Sequence, residues 1–93
     1  MNFDVYLIIT KRVNRYITYV GYAKNAKKRL ILHNNGKGAK FTKGNKWKLI
    51  YKKTYQSKSI AQKEEYILKK NYKHRLQIKK KYLKDENFNT TSI

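Results

Sequence analysis

The sequence predicts an α+β domain: a small three-stranded antiparallel sheet, in the order strand–strand–helix–strand–helix, flanked by helices. Three observations predict it. Two short runs rich in β-branched and aromatic residues lie close together near the N-terminus, two later segments carry helix-capping signals, and a mixed apolar and lysine run separates those segments. At 93 residues there is room for one domain and one modest core, expected over residues 1–84, with a polar tail over 85–93.

The first run, Val5-Tyr6-Leu7-Ile8-Ile9-Thr10, reads as a strand, and Tyr16-Ile17-Thr18-Tyr19-Val20 as a second of the same kind. The short basic link between them, with Asn14 as its turn residue, makes the pair an antiparallel hairpin. Gly21 ends the second strand where the backbone bends or is closely approached. Asn25 is a suitable N-cap for a helix from about Ala26 to Asn34, and Gly36 a suitable stop. A basic loop, Gly36 to Asn45, follows, then a third strand from Trp47 to Tyr55. Ser59 and Gln62 have capping-box spacing and open a long helix that reaches at least Asn71 and extends toward Leu83 with a bend. Asp85 to Ile93 lacks periodicity and is expected to fray.

Lysine and arginine number 24 against 5 acidic residues, a formal charge of +19. So large an imbalance opposes compaction by self-repulsion and makes sense beside a polyanion. Nucleic acid is the first candidate and an anionic membrane the second, although no long apolar run or signal-peptide pattern supports a membrane role. The absence of cysteine excludes a disulfide framework and a thiolate metal site, and fits a cytoplasmic protein. Nine tyrosines and an ordinary apolar fraction separate the chain from a disordered basic tail.

Four features carry chemistry. Tyr6 and Tyr19 sit at the centres of hairpin strands, where both rings can share one face, as ordinary sheet packing also allows. Arg29 and His33 are spaced i, i+4 on one helical face. The guanidinium suits a phosphate and the imidazole suits proton exchange near neutral pH, though a surface basic pair has the same spacing. Glu64 and Glu65 are two of the five acidic residues, adjacent on the last helix. Glu64 lies near the middle of the stripe formed by Ile60, Ile67 and Leu68 and Glu65 at its flank; a carboxylate at the edge of such a stripe can hold a hard divalent cation, and periodicity alone does not choose between the two. An intrahelical pair of Glu65 with Lys69 is the plainer reading. Finally, glycines alternate with Lys37, Lys40 and Lys43 around Thr42, so that amides and ammonium groups can approach phosphates; the P-loop spacing is absent.

In register, these features resemble the GIY-YIG nuclease superfamily, specifically its small stand-alone bacterial members of the UPF0213 kind. Val5-Tyr6-Leu7 stands for the GIY segment and Tyr19-Val20-Gly21 for the YIG segment, 11 residues apart. Arg29, His33, the Gly36-Lys37-Gly38-Ala39-Lys40 loop and the segment from Ser59 to Lys69 follow in family order, and the resemblance places the metal-ligand glutamate at Glu65. Val5 and Leu7 depart from the glycine and isoleucine of the motif, and neither Asn71 nor Gln77 fits the downstream asparagine of some larger members.

The resemblance implies an endonuclease hydrolysing phosphodiester bonds in DNA (RNA being a second substrate class), with structure-specific or repair-related cleavage among the expected activities. It implies one divalent ion, Mg²⁺ or Mn²⁺, at Glu65, stabilisation of transition-state charge by Arg29, and a general base from Tyr6 or Tyr19 with His33 accepting its proton. Lys37, Lys40, Thr42 and Lys43 are expected to contact the nucleic-acid backbone, which positions a strand without reading its sequence. No separate targeting domain is expected, so specificity is low or supplied by a partner or dimer. Two other readings explain the charge: a non-catalytic nucleic-acid-binding module on the same fold, and a basic protein of a ribonucleoprotein particle.

Overall fold

A computed structural model describes the backbone of residues 1–91 and the side chains of residues 1–86. Among the described residues there are three strands and three helices: β1 (Phe3–Arg12), β2 (Arg15–Ala23), α1 (Ala26–Asn34), β3 (Lys48–Tyr55), α2 (Lys58–Lys70) and α3 (Tyr72–Thr91). The strands form one antiparallel sheet in the order β2-β1-β3. The fold class and the hairpin are those the sequence predicts, with a third helix added where the long last helix divides.

β1 is the central strand and is covered on both faces, which is why its apolar run is continuous rather than alternating. Val5 and Leu7 pack with Val20, Ala61 and Leu68 beneath α2, whereas Tyr6 and Ile8 pack with Ala23, Ala26 and Trp47 beneath α1. The register pairs Tyr6 with Gly21 and Ile8 with Tyr19, so the two tyrosines are diagonal neighbours on the α1 face. On the other side of β1, an irregularity between Leu7 and Ile8 lets β3 skip Ile50. Ile50 and Tyr51 then both pack into the α2-side core, which accounts for the broken alternation of that strand.

The hairpin turns through Val13 and Asn14, and the left-handed conformation falls on Val13 (φ 49°) rather than on Asn14. A β-branched residue is strained there, and Val13 is 90% exposed with no packing to offset the strain. Val13→Gly should therefore raise stability by about 1 kcal/mol, read as a higher midpoint in urea with unchanged slope.

Asp4 ties three elements together and was not singled out in the sequence. Its carboxylate is buried, accepting the Ala26 amide of α1 at 2.9 Å and the Thr54 hydroxyl of β3 at 2.7 Å. Asn25 caps α1 as expected, its side chain accepting the Lys28 amide. At the other end the Gly36 amide bonds to His33 and the Lys37 amide to Leu32, a Schellman closure with Gly36 at φ 76°.

α2 starts earlier than the Ser59–Gln62 pattern predicts. Ser57 is the N-cap, accepting the Ile60 amide, and Gln62 instead donates to the Tyr22 hydroxyl at 2.8 Å. The inward face is Ala61, Glu65 and Leu68, while Ile60 and Ile67 are about half exposed. The bend lies at Asn71, which ends α2 and caps α3 by accepting the His74 amide. Arg75 folds back from α3 to donate to the Leu68 and Lys69 carbonyls, satisfying the open end of α2. α3 continues through Asp85 to Thr91, where the sequence suggests fraying; residues 92 and 93 lie outside the described residues.

Candidate active site

The site is built around the hydroxyl of Tyr6. This residue is 1% exposed, and its ring crosses Gly21 on the neighbouring strand. A Cβ at position 21 would run into the phenol oxygen and its ring carbon, so the approach expected at Gly21 is that of Tyr6. The hydroxyl reaches α1, where it lies 2.8 Å from His33 Nε2.

His33 is 1% exposed and held on every side. Its Nδ1 lies 2.8 Å from the Thr42 hydroxyl, its ring meets those of Tyr6 and Tyr19 edge-on, and Gly38 is packed so closely that a Cβ there would strike the imidazole. Arg29, one turn earlier on α1, is close enough for its charge to act on the Tyr6 hydroxyl. The i, i+4 pair is therefore no surface pair, because both members face the sheet tyrosine.

The Glu65 carboxylate also bears on the Tyr6 hydroxyl, through its charge. Burial pushes the Tyr6 pKa up to about 12; the Arg29 guanidinium opposes that rise, and Tyr19 and the Glu65 carboxylate add to it. Glu64 faces elsewhere. Tyr51 and Tyr55 have raised pKa values chiefly through burial, and Glu64 adds to the rise in both. Of the two adjacent carboxylates, Glu65 adds to the rise at Tyr6, whereas Glu64 acts on Tyr51 and Tyr55. The Glu65 side chain is 17% exposed and also pairs with Lys69 at 3.6 Å, so the intrahelical reading is true as well. Burial, and then the Arg29 charge, lower the pKa of His33 below its ordinary 6.5 and keep the ring neutral at pH 7.

The loop after α1 is anchored rather than loose. The Trp47 indole donates to the Thr42 carbonyl at 2.8 Å, Thr10 donates to the Lys46 carbonyl, and the Arg12 guanidinium reaches Asn45 and the Phe41 carbonyl. Lys37, Lys40 and Lys43 project from this fixed backbone and are exposed. Thr42 is a correction to the expected set of backbone-contacting residues. It is 0% exposed, out of reach of a nucleic acid, because its hydroxyl is turned inward to His33.

Sequence reasoning missed Phe41 and the role of Trp47. Phe41 is 50% exposed and stacks on Tyr19, with ring centroids 5.9 Å apart, while Trp47 closes the cluster from below. Phe41 and Trp47 stand 22 and 28 residues from Tyr19 in the chain, so nothing local marks the three as one cluster. A shallow groove beside the centre is lined by Tyr19, Phe41, Lys69 and Arg75, and a cleft on the Arg29 side by Lys24, Lys28 and Lys58. Positive charge therefore flanks Tyr6 on both sides, as a polyanion passing across the site requires. A separate cavity between the hairpin end, residues 44–46 and α3 shares no residue with the Tyr6 centre.

Among the described residues no group of three or more His, Cys, Asp or Glu side chains could hold a metal alone, and no helix is long and apolar enough to cross a membrane. One carboxylate beside phenols still suits a hard cation that keeps several waters and completes its shell with substrate phosphate.

The sequence matches the GIY-YIG catalytic domain over residues 2–89. It is 45% identical to a UPF0213 protein of Staphylococcus epidermidis over 67 residues, 71% of this chain and 82% of that one. It is also 43% identical to a UPF0213 protein of Clostridium perfringens over 74 residues, 75% and 78% of the two chains. No solved structure matches significantly. A family match over nearly the whole length decides the relationship, and this chain belongs to the GIY-YIG superfamily of nucleases.

Proposed function

We propose that the protein is a divalent-metal-dependent endonuclease that hydrolyses phosphodiester bonds in DNA, with Tyr6 as the general base. The observation that carries this reading is the environment of a single oxygen. The Tyr6 hydroxyl is 2.8 Å from a neutral, buried His33 and within the electrostatic reach of Arg29, Tyr19 and Glu65.

In this reading a water attacks phosphorus and gives a proton to the Tyr6 oxygen, while the Tyr6 proton passes to His33 Nε2; the bond from phosphorus to the leaving oxygen breaks, and that oxygen takes a proton from solvent. Arg29 presents fixed positive charge to the developing phosphorane-like oxygens. Glu65 would hold one Mg²⁺ or Mn²⁺ ion, which when bound supplies Lewis-acid stabilisation of charge on the phosphate and leaving oxygen. Tyr19 braces the imidazole through its edge contact and carries Phe41 above the groove. Lys37, Lys40 and Lys43 track the strand without reading bases.

The test is a cleavage screen over plasmid, branched and single-stranded DNA and the matching RNA forms, with Mg²⁺, Mn²⁺ or chelator. Cleavage should require metal, and Glu65→Ala and Arg29→Ala should each slow it by about 10²-fold or more. Equal cleavage by wild type and both variants would identify a contaminant. Salt-sensitive binding with no cleavage of any form would make the protein a passive binding module.

A further inference from the structure

We propose that Thr42 is a positioning residue that holds His33 as its Nδ1–H tautomer, leaving Nε2 to face the Tyr6 phenol as a proton acceptor. The argument is a count of hydrogens. A threonine hydroxyl has one proton to give. Thr42 Oγ1 lies 3.0 Å from the Ala39 carbonyl, an atom that can only accept, so the proton is directed there. The reverse assignment would set two oxygen lone pairs against each other at that distance. With its proton committed, the same oxygen lies 2.8 Å from His33 Nδ1 and can only accept from it. A neutral imidazole carries one N–H, so Nε2 bears a lone pair and Tyr6 is the donor across the 2.8 Å contact.

The surroundings leave Thr42 no other arrangement. Its amide donates to the Ala39 carbonyl, and its own carbonyl accepts the Trp47 indole at 2.8 Å. Gly38 leaves room for the imidazole, and the whole chain from Ala39 to Tyr6 is buried or nearly so. Burial and the Arg29 charge keep the ring neutral, the state in which tautomer choice has meaning. Once Nε2 takes a proton, the Nδ1–H remains bonded to Thr42, so the imidazolium forms without reorganisation. The consequence for hydrolysis rests on the function proposed above; the tautomer itself does not.

The experiment is imidazole ¹⁵N–¹H NMR of wild type, Thr42→Ser and Thr42→Val, alongside kcat and KM on the DNA form cleaved best. Wild type and Thr42→Ser should show a protonated Nδ1 and an unprotonated Nε2 in His33. Thr42→Val keeps the shape but removes the acceptor; its His33 should shift toward Nε2–H, and kcat should fall about a hundredfold with KM unchanged. A wild-type spectrum with the proton on Nε2 would overturn the assignment, as would Thr42→Val retaining both the Nδ1–H tautomer and full rate. If no variant cleaves any substrate, the nuclease reading fails and the wild-type spectrum alone decides the role of Thr42.

Discussion

Tyr6→Phe should slow hydrolysis by about 10³-fold while leaving nucleic-acid affinity within roughly a factor of two. The variant removes one buried oxygen and keeps the ring that packs over Gly21 and against His33. It therefore separates chemistry from folding more cleanly than a truncation. Affinity survives because it comes from the exposed lysines, not from the phenol. Two pH signatures should accompany it. In wild type, His33 must be neutral to accept a proton, and its pKa is lowered, so the rate should hold at mildly acidic pH and fall only below the ordinary histidine value of 6.5. The same depressed pKa makes the stability contribution of His33 complete above about 6.5 and lost progressively below it, because the unfolded chain binds that proton more readily. Tyr6 acts in the opposite range. Its folded pKa is raised from 10.0 to about 12, so its contribution is complete below pH 10 and declines as pH rises toward 12. That alkaline decline should shrink in Tyr6→Phe, measured by urea unfolding across the range, leaving the part contributed by Tyr51 and Tyr55, whose pKa values are also raised.

Gly21→Ala should have the largest combined effect: a loss of about 2–3 kcal/mol of stability and at least about 10²-fold in hydrolysis. An added methyl meets the Tyr6 hydroxyl and the carbons beneath it, parts of a rigid ring that is itself buried and has no free volume to enter. Either β2 moves away from β1 or the phenol leaves His33. Both outcomes damage the site. Combining Gly21→Ala with Tyr6→Phe should relieve the clash only in part, since the ring carbons stay close after the oxygen is gone. Urea unfolding of the single and double variants, with cleavage rates, measures both terms.

What was legible in the sequence follows from which forces act locally. The hairpin pairing, the limits of α1, its Asn25 cap and the Gly36 stop depend on residues a few positions apart, and the structure has them where the pattern places them; β2, by contrast, does not end at Gly21 but pairs with β1 through Ala23, because Gly21 is spanned by the Tyr6 ring within the ladder. The shared face of Tyr6 and Tyr19 follows from strand periodicity once the register is fixed. Other features depend on tertiary packing. Ser57 rather than Ser59 caps α2 because the helix starts one residue after Ser57, and Gln62 is drawn away to Tyr22. That Glu65 rather than Glu64 lies on the side of α2 shared with Ala61 and Leu68 follows from those two being buried, while the larger Ile60 and Ile67 stay outward. Nothing near Thr42 in the chain signals that a residue in a lysine-rich loop is buried against a helix nine positions earlier. Asp4 was equally hidden: its partners lie 22 and 50 residues away.

The central claim is that side chains from β1, α1 and α2 act on one phenol oxygen as a unit, and a double-mutant cycle on hydrolysis tests it most directly. Tyr6→Phe, Glu65→Ala and the double variant would be compared by single-turnover rate on the DNA form cleaved best. If the two groups serve the same step, the double variant should be little slower than the slower single variant. Fully additive losses would mean that the phenol and the carboxylate act independently, and would contradict a single shared centre.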